Sequence, residues 1–295
     1  MKKQVMNFFF IVLMALVLFS CGGGSGKKGS GGKSLFTPVS SGHPYEMLVV
    51  IDKDMWERPA GRALFNALDM DVPGLPQPER SFRISQIIPD KFERGFRIFR
   101  NIIDVDIQPI YTQPKLKYSR DSYASPQMIM TIQAPDEASF EEFVNQNKQV
   151  IVDFFTKAEM NRQINLLKEK YSDVVATKVG SMFGCDVRVP VGFERYKQGK
   201  DFFWTSQDRP GSEVSLNFVV YSYPYTDKNT FTRDYFIHKR DSVMKLNIPG
   251  SLEGQYMATD TNYVNVREFS VKGEYAFEAR GLWYMENDMM GGPFV

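Results

Sequence analysis

Two pairs of carboxylates are the residues best spaced to do chemistry. Asp52 and Asp54 form a D-x-D directly after the apolar run Tyr45 to Ile51, and Asp104 and Asp106 repeat that spacing inside IIDVDI. Residues two apart on an extended chain share a face. Either pair is therefore able to present two carboxylates to a divalent cation, or to divide the roles of nucleophile and acid in a hydrolase. Asp52 and Asp54 are the weak candidates for that role, and solvated carboxylates at a strand end are the better reading. The other machineries are missing from the sequence. His43 and His238 lie far apart and there is no C-x-x-C, so no zinc-ligand spacing exists. There is no G-x-S-x-G and no glycine loop that follows a strand to cradle phosphate. The reading assigns no catalytic residue, no metal and no cofactor.

Aromatic residues carry the stronger signal. Tyr221, Tyr223 and Tyr225 alternate along an expected strand, Val214 to Tyr225, and so share one face. Val214, Leu216, Phe218 and Val220 share the other face, which is expected to meet the following helix. Phe202, Phe203 and Trp204 are consecutive, so at least one points away from any single core. Trp283 and Tyr284 lie on the last expected strand. Tyr221, Tyr223, Tyr225, Trp204 and Trp283 are the candidate binding face, suited to a protein partner or to stacking on a saccharide. The competing reading places them in the core and edges of the sheet.

Periodicity supplies the elements that would position these groups. Strands are expected at Tyr45 to Ile51, Ser81 to Ile88, Arg97 to Ile107 and Gln127 to Ile132, with a short helix at Gly61 to Leu68. Pro135-Asp136 opens a long amphipathic helix reaching Tyr171, and a second helix, Ser172 to Phe183, is capped by Ser172 and stopped by Gly184. Further strands are expected at Asp186 to Phe193 and Asp201 to Ser206, before the tyrosine strand. A helix at Thr232 to Leu246 and a hairpin around Lys272-Gly273 follow. The fold class is α+β: two antiparallel-sheet α+β units, 45–133 and 184–295, joined by a helical segment, 134–183. By element order alone the second unit resembles PsbP-like domains. The chain ends Gly-Gly-Pro-Phe-Val, and the reading expects final elements of the fold to be missing there.

The beginning of the chain is an address. Lys2 and Lys3 precede an uncharged, mostly apolar run, Phe8 to Phe19, well short of the ~20 residues that cross a bilayer. This is the build of a signal peptide, residues 1–20. Leu18-Phe19-Ser20-Cys21 resembles the lipobox of bacterial lipoproteins, and the resemblance implies diacylglycerol on the Cys21 thiol and cleavage before it. Residues 22–34, GGGSGKKGSGGKS, cannot offset their ordering entropy by burial, and as a coil they span on the order of 20 Å. The lipidated Cys21 and the flexible tether are expected to make up residues 21–44. Gly22 rather than an acid after Cys21 implies, by resemblance to known sorting rules, an outer-membrane location facing the periplasm.

Without residues 1–20 the chain loses two of its 36 basic residues and none of its 35 acidic ones, a net charge of −1. No basic excess points to nucleic acid. With Cys21 lipidated, Cys185 has no intramolecular partner, and burial is its expected fate. LVVIDKDMW, GLPQPERSF and RGLWYMENDMMGGPFV, with the lipobox and tether, resemble a Bacteroidota lipoprotein family of unknown function; the D-x-D resembles the start of haloacid-dehalogenase-like phosphatases, except that Met55 stands where their turn would be. The expectation is a lipid-anchored envelope lipoprotein that binds a partner protein without catalysis. The alternatives are a module for saccharide or peptidoglycan fragments and a carboxylate-dependent hydrolase.

Overall fold

The computed structural model describes residues 37–73, 75, 77–208 and 215–295. The expected signal peptide, Cys21 and residues 22–34 of the expected tether lie outside these residues.

Five strands make the first sheet: β1 (Glu46–Val50), β2 (Arg83–Ile87), β3 (Asn101–Ile107), β4 (Lys115–Arg120) and β5 (Met128–Ala134), in the order β2-β1-β3-β5-β4. The α+β class holds, but this sheet is not antiparallel as expected. β1 runs parallel to β2 and β3, β3 runs parallel to β5, and only β4–β5 is antiparallel. The cause is visible in β1. Met47 and Val49 enter one core while Leu48 and Val50 enter another on the opposite face, and two-sided burial is the habit of parallel strands.

The helices are α1 (Lys53–Glu57), α2 (Pro59–Leu68), α3 (Arg94–Arg97), α4 (Glu137–Gln146), α5 (Lys148–Glu169), α6 (Asp173–Phe183) and α7 (Arg233–Asn247). The single long helix expected to Tyr171 breaks at Asn147, whose side-chain amide donates to the Phe143 carbonyl at 2.8 Å; asparagine competes for the backbone in this way. α2, α4 and α5 cover one face of the sheet, where Leu64, Phe140, Ile151 and Phe155 meet Met47, Val49, Ile103 and Ile132. The other face carries a smaller cluster, Leu48, Val50, Ile87, Ile102 and Ile129, under Phe92 and Phe99.

α5 also buries charge. Glu159 is 0% exposed and Arg162 7%. Glu159 accepts from Arg100 Nη2 at 2.7 Å, Asn101 Nδ2 at 2.7 Å and Arg162 Nη1 at 2.8 Å. Arg162 also donates to Asn101 Oδ1 and the Arg100 carbonyl, each at 2.8 Å. The network pins α5 to the start of β3, and Asn101 continues it to the Glu46 carbonyl of β1.

The second half holds two antiparallel three-stranded sheets. β6 (Arg195–Gln198), β7 (Phe202–Asp208) and β8 (Ser215–Tyr221) lie in the order β6-β7-β8; β9 (Met257–Val271), β10 (Glu274–Met285) and β11 (Gly291–Phe294) lie in the order β11-β10-β9. Ser172 caps α6 and Gly184 ends it at φ +69°, as the sequence implies. Lys272 and Gly273 both take positive φ, +53° and +89°, which the right-handed twist of a two-residue hairpin demands. The final residues pair with Gly281–Tyr284 of β10. The strand expected at Asp186 to Phe193 does not form: this stretch runs as coil and turn, with Val189 and Phe193 buried in a core and Val187 packed against it. Cys185, at its start, is exposed rather than buried, because the left-handed turn at Gly184 carries the chain off the end of α6 before it reaches that core.

The β9–β10 hairpin is fixed by a cluster of charge. Arg267 grips Glu278 with two bonds, 2.8 and 3.0 Å, and Arg280 adds a third at 2.8 Å. These arginines hold the Glu278 carboxyl down at about 2, against an ordinary 4.5. A carboxyl lowered on folding contributes stability above its unfolded value, here pH 4.5, and loses it as pH falls through about 2. Both arginines are partly exposed, so the contribution is on the order of 1 kcal/mol. Glu278→Gln should therefore cost about 1 kcal/mol at pH 7 in urea unfolding and almost nothing near pH 2. An equal loss at both pH values would assign the effect to packing.

Candidate functional site

The carboxylate pairs are placed very differently. Asp52 caps α1: its Oδ1 accepts from the amides of Asp54 and Met55 at 2.9 and 3.2 Å. An N-cap of this kind satisfies amides that a helix leaves unpaired, and it accounts for the D in this position without chemistry. Asp54 is exposed in the first turn, where a negative charge suits the helix dipole. Asp104 and Asp106 share the face of β3 that points away from α2, α4 and α5, since Ile103 and Val105 occupy the helix side. Asp106 accepts from Gln108 Nε2 at 2.7 Å, from Gln133 Nε2 at 2.6 Å and from the Tyr111 hydroxyl. Burial pushes the Asp106 carboxyl up, but the bonds from Tyr111, Gln133 and Gln108 outweigh it and leave it below the usual range. Burial and the charge of Asp106 push Asp104 the other way, upward. Among the described residues no group of three or more His, Cys, Asp or Glu is gathered to hold a metal ion.

The aromatic residues do not form one surface. β8 ends at Tyr221, so the alternation that would carry Tyr223 and Tyr225 along it stops there. Both faces of β8 are covered. Phe218 and Val220 pack with Val175 and Val179 of α6, while Val219 and Tyr221 pack with Val243 and Met244 of α7. The face expected to be open is therefore the one that α7 covers. Tyr221 stacks on Tyr223 with ring centroids 6.2 Å apart, Tyr223 meets Tyr235 at 6.0 Å, and Lys239 Nζ lies 4.6 Å from the Tyr223 ring. Burial, with Tyr223 beside it, pushes the Tyr221 phenol up to about 12, as suits a core group. Trp204 is half-buried and donates from Nε1 to Asn217 Oδ1 at 3.0 Å. Trp283 packs beside Met244, Met257 and Met285.

Tyr225 alone of the five stands well clear, at 61% exposure, and it has company the sequence did not single out. Its ring lies 5.5 Å from Phe231, and Phe231 meets Tyr275 edge-on at 4.8 Å. Phe231 is 39% exposed and Tyr275 49%. Two local devices bring them together. Asp227 caps the short 3-10 turn that carries Phe231 by accepting from the Asn229 amide at 2.7 Å, and the Lys272-Gly273 turn sets Tyr275 near the tip of the β9–β10 hairpin. A signal for both exists in the sequence: each is a lone aromatic among charged and turn residues, DKNTF and KGEY, which is the setting of an exposed ring rather than a core one.

Comparison with known families divides the chain between α5 and α6. Residues 40–168 match a domain of unknown function (DUF8532), and residues 172–295 match a second domain of unknown function (DUF4837). The first match ends within α5, whose core belongs to the first sheet; the second begins at the cap of α6, which packs on β7 and β8. No curated protein and no solved structure matches the chain. No helix among the described residues is long and apolar enough to cross a membrane.

Proposed function

We propose that the protein is a lipid-anchored envelope lipoprotein, held through Cys21 to the periplasmic side of the outer membrane, that binds a partner protein through its second domain. The observation that carries the binding role is the contact of three exposed rings, Tyr225, Phe231 and Tyr275. Large aromatic side chains in mutual contact at a surface are what protein interfaces use as anchors. Their arrangement favours a protein over a saccharide. The edge-on contact of Phe231 with Tyr275, at 66° between planes, leaves no flat platform on which a sugar ring would lie, whereas a knobbed aromatic surface fits side-chain pockets. The hydrolase reading has less support, because Asp52 is engaged as a helix cap.

Two changes test the two parts of this reading. Cys21→Ala should abolish labelling by a fatty-acid probe and release the chain from the membrane fraction; labelling that persists would place the lipid elsewhere. Tyr225→Ser, Phe231→Ser and Tyr275→Ser together should remove a partner recovered from the envelope while the thermal midpoint falls by only a few degrees. A large fall in midpoint would make the three rings core residues and end the interface reading.

A further inference from the structure

We propose that the face of the first sheet opposite α2, α4 and α5, at Asp104, Asp106 and Gln133, is a binding site for an organic cation, an ammonium or guanidinium group. Three independent features converge there. The first is Asp104 itself. It is only partly exposed, yet among the described residues no donor and no cation bonds to its carboxylate. A carboxylate drawn out of water without a partner is costly, and folds that keep one generally use it. Burial and neighbouring Asp106 raise its pKa.

The second feature is Gln133, 4% exposed. Its Nε2 donates to Asp106 Oδ2 and to the Tyr111 hydroxyl oxygen, each at 2.6 Å, so the end of the amide lies inside the cluster. Its Oε1 is buried with no donor among the described residues. Turning the amide over does not help, because the oxygen would then face the Asp106 carboxylate. The third feature is position. β1 leads to β2 on one side of itself, and the chain then crosses to β3 on the other side. Ligands of parallel sheets gather at the carboxyl ends of the strands where the order reverses in this way. Asp104 stands opposite Val50, the last residue of β1, and Asp106 lies further toward the carboxyl end.

The unmet groups are acceptors, and the charge of the pair is negative, so the fitting ligand is a cation rich in N–H donors. The nearest basic residues do not fill this role. Lys115 Nζ lies 5.8 Å from the Tyr111 ring, and Lys117, whose charge helps lower Asp106, forms no ion pair with Asp104 among the described residues.

The test is a titration of the full-length chain in detergent, labelled at the aspartate side-chain carboxyl carbon, with methylguanidinium, methylammonium and neutral methylurea. The expected result is a saturable shift of the Asp104 and Asp106 signals with either cation and none with methylurea. Asp104→Asn should weaken binding about tenfold or more while its thermal midpoint is kept or raised, since it removes a desolvated charge. A capped arginine peptide that binds more tightly than methylguanidinium would assign the cation to a protein side chain; equal binding would assign it to a free small molecule. Absence of a shift with the wild-type chain overturns the proposal without recourse to a variant, as does an equal response to methylurea.

Discussion

Glu159→Ala is expected to lower the unfolding free energy by about 3–5 kcal/mol, the usual cost of stranding a buried charge, and the thermal midpoint by roughly 10 °C. The removed carboxylate accepts from three donors, and Arg162 would be left 7% exposed with its charge uncompensated. The double change Glu159→Met with Arg162→Leu should be milder than either single change, because it replaces the pair rather than breaking it. Chemical denaturation of the three variants separates the possibilities. If the double loses as much as the sum of the singles, the charges are independent and the network does not hold α5 in place.

Phe203→Ala should be comparably severe, about 3–5 kcal/mol for a fully enclosed aromatic side chain. Phe203 is 0% exposed among Val175, Val179, Val189 and Phe193, and stacks on Tyr196 at 5.9 Å. Trp204→Ala, one residue on, should cost distinctly less despite the larger ring, because that ring is half-buried on the opposite face and keeps its hydrogen bond at the surface. Equal losses would mean that the two faces of this sheet are packed alike, contrary to the separate cores on α6 and α7.

Much of this architecture is written in local sequence, and particular residues explain the rest. Ser172, Gly184 and Lys272-Gly273 mark the ends of α6 and the β9–β10 turn because capping and positive φ are properties of single residues. Strand direction is not. β1 reads as a strand at once, but its parallel partners depend on chain crossings, and only the apolar character of four successive positions, Met47 to Val50, hints at two-sided burial. β4 is hard to read because KLKYSR has just two residues on the helix side, Leu116 and Tyr118; Lys115 and Lys117 belong to the opposite face. The strand expected at Asp186 to Phe193 alternates well, but Pro190 removes a ladder donor.

The site residues follow the same pattern. Val219 and Tyr221 on one side of β8, with Phe218 and Val220 on the other, are apolar on both faces, and that is the sequence mark of a strand covered twice. The period of two predicts one face for the tyrosines, but it shows neither that β8 ends at Tyr221 nor that α7 lies over that residue. Glu159 and Arg162 were legible as an anomaly: they fall at helical spacing from Ile151 and Phe155 on the inner face of α5, where apolar residues are due. Their partners Arg100 and Asn101 lie far away in sequence, so the network itself was beyond local reading. Phe231 and Tyr275 meet only through the fold.

The central claim is that the second domain meets its partner through the ring cluster. The most direct measurement is photo-crosslinking in cells, with a photoreactive phenylalanine placed singly at Tyr225, Phe231, Tyr275 and, as controls, at half-buried Tyr221 and at exposed Lys91 of the first domain. The account predicts one discrete adduct with the same envelope protein from positions 225, 231 and 275, and none from 221 or 91. Adducts from Lys91 as strong as those from the rings, or none from the rings at all, would contradict it.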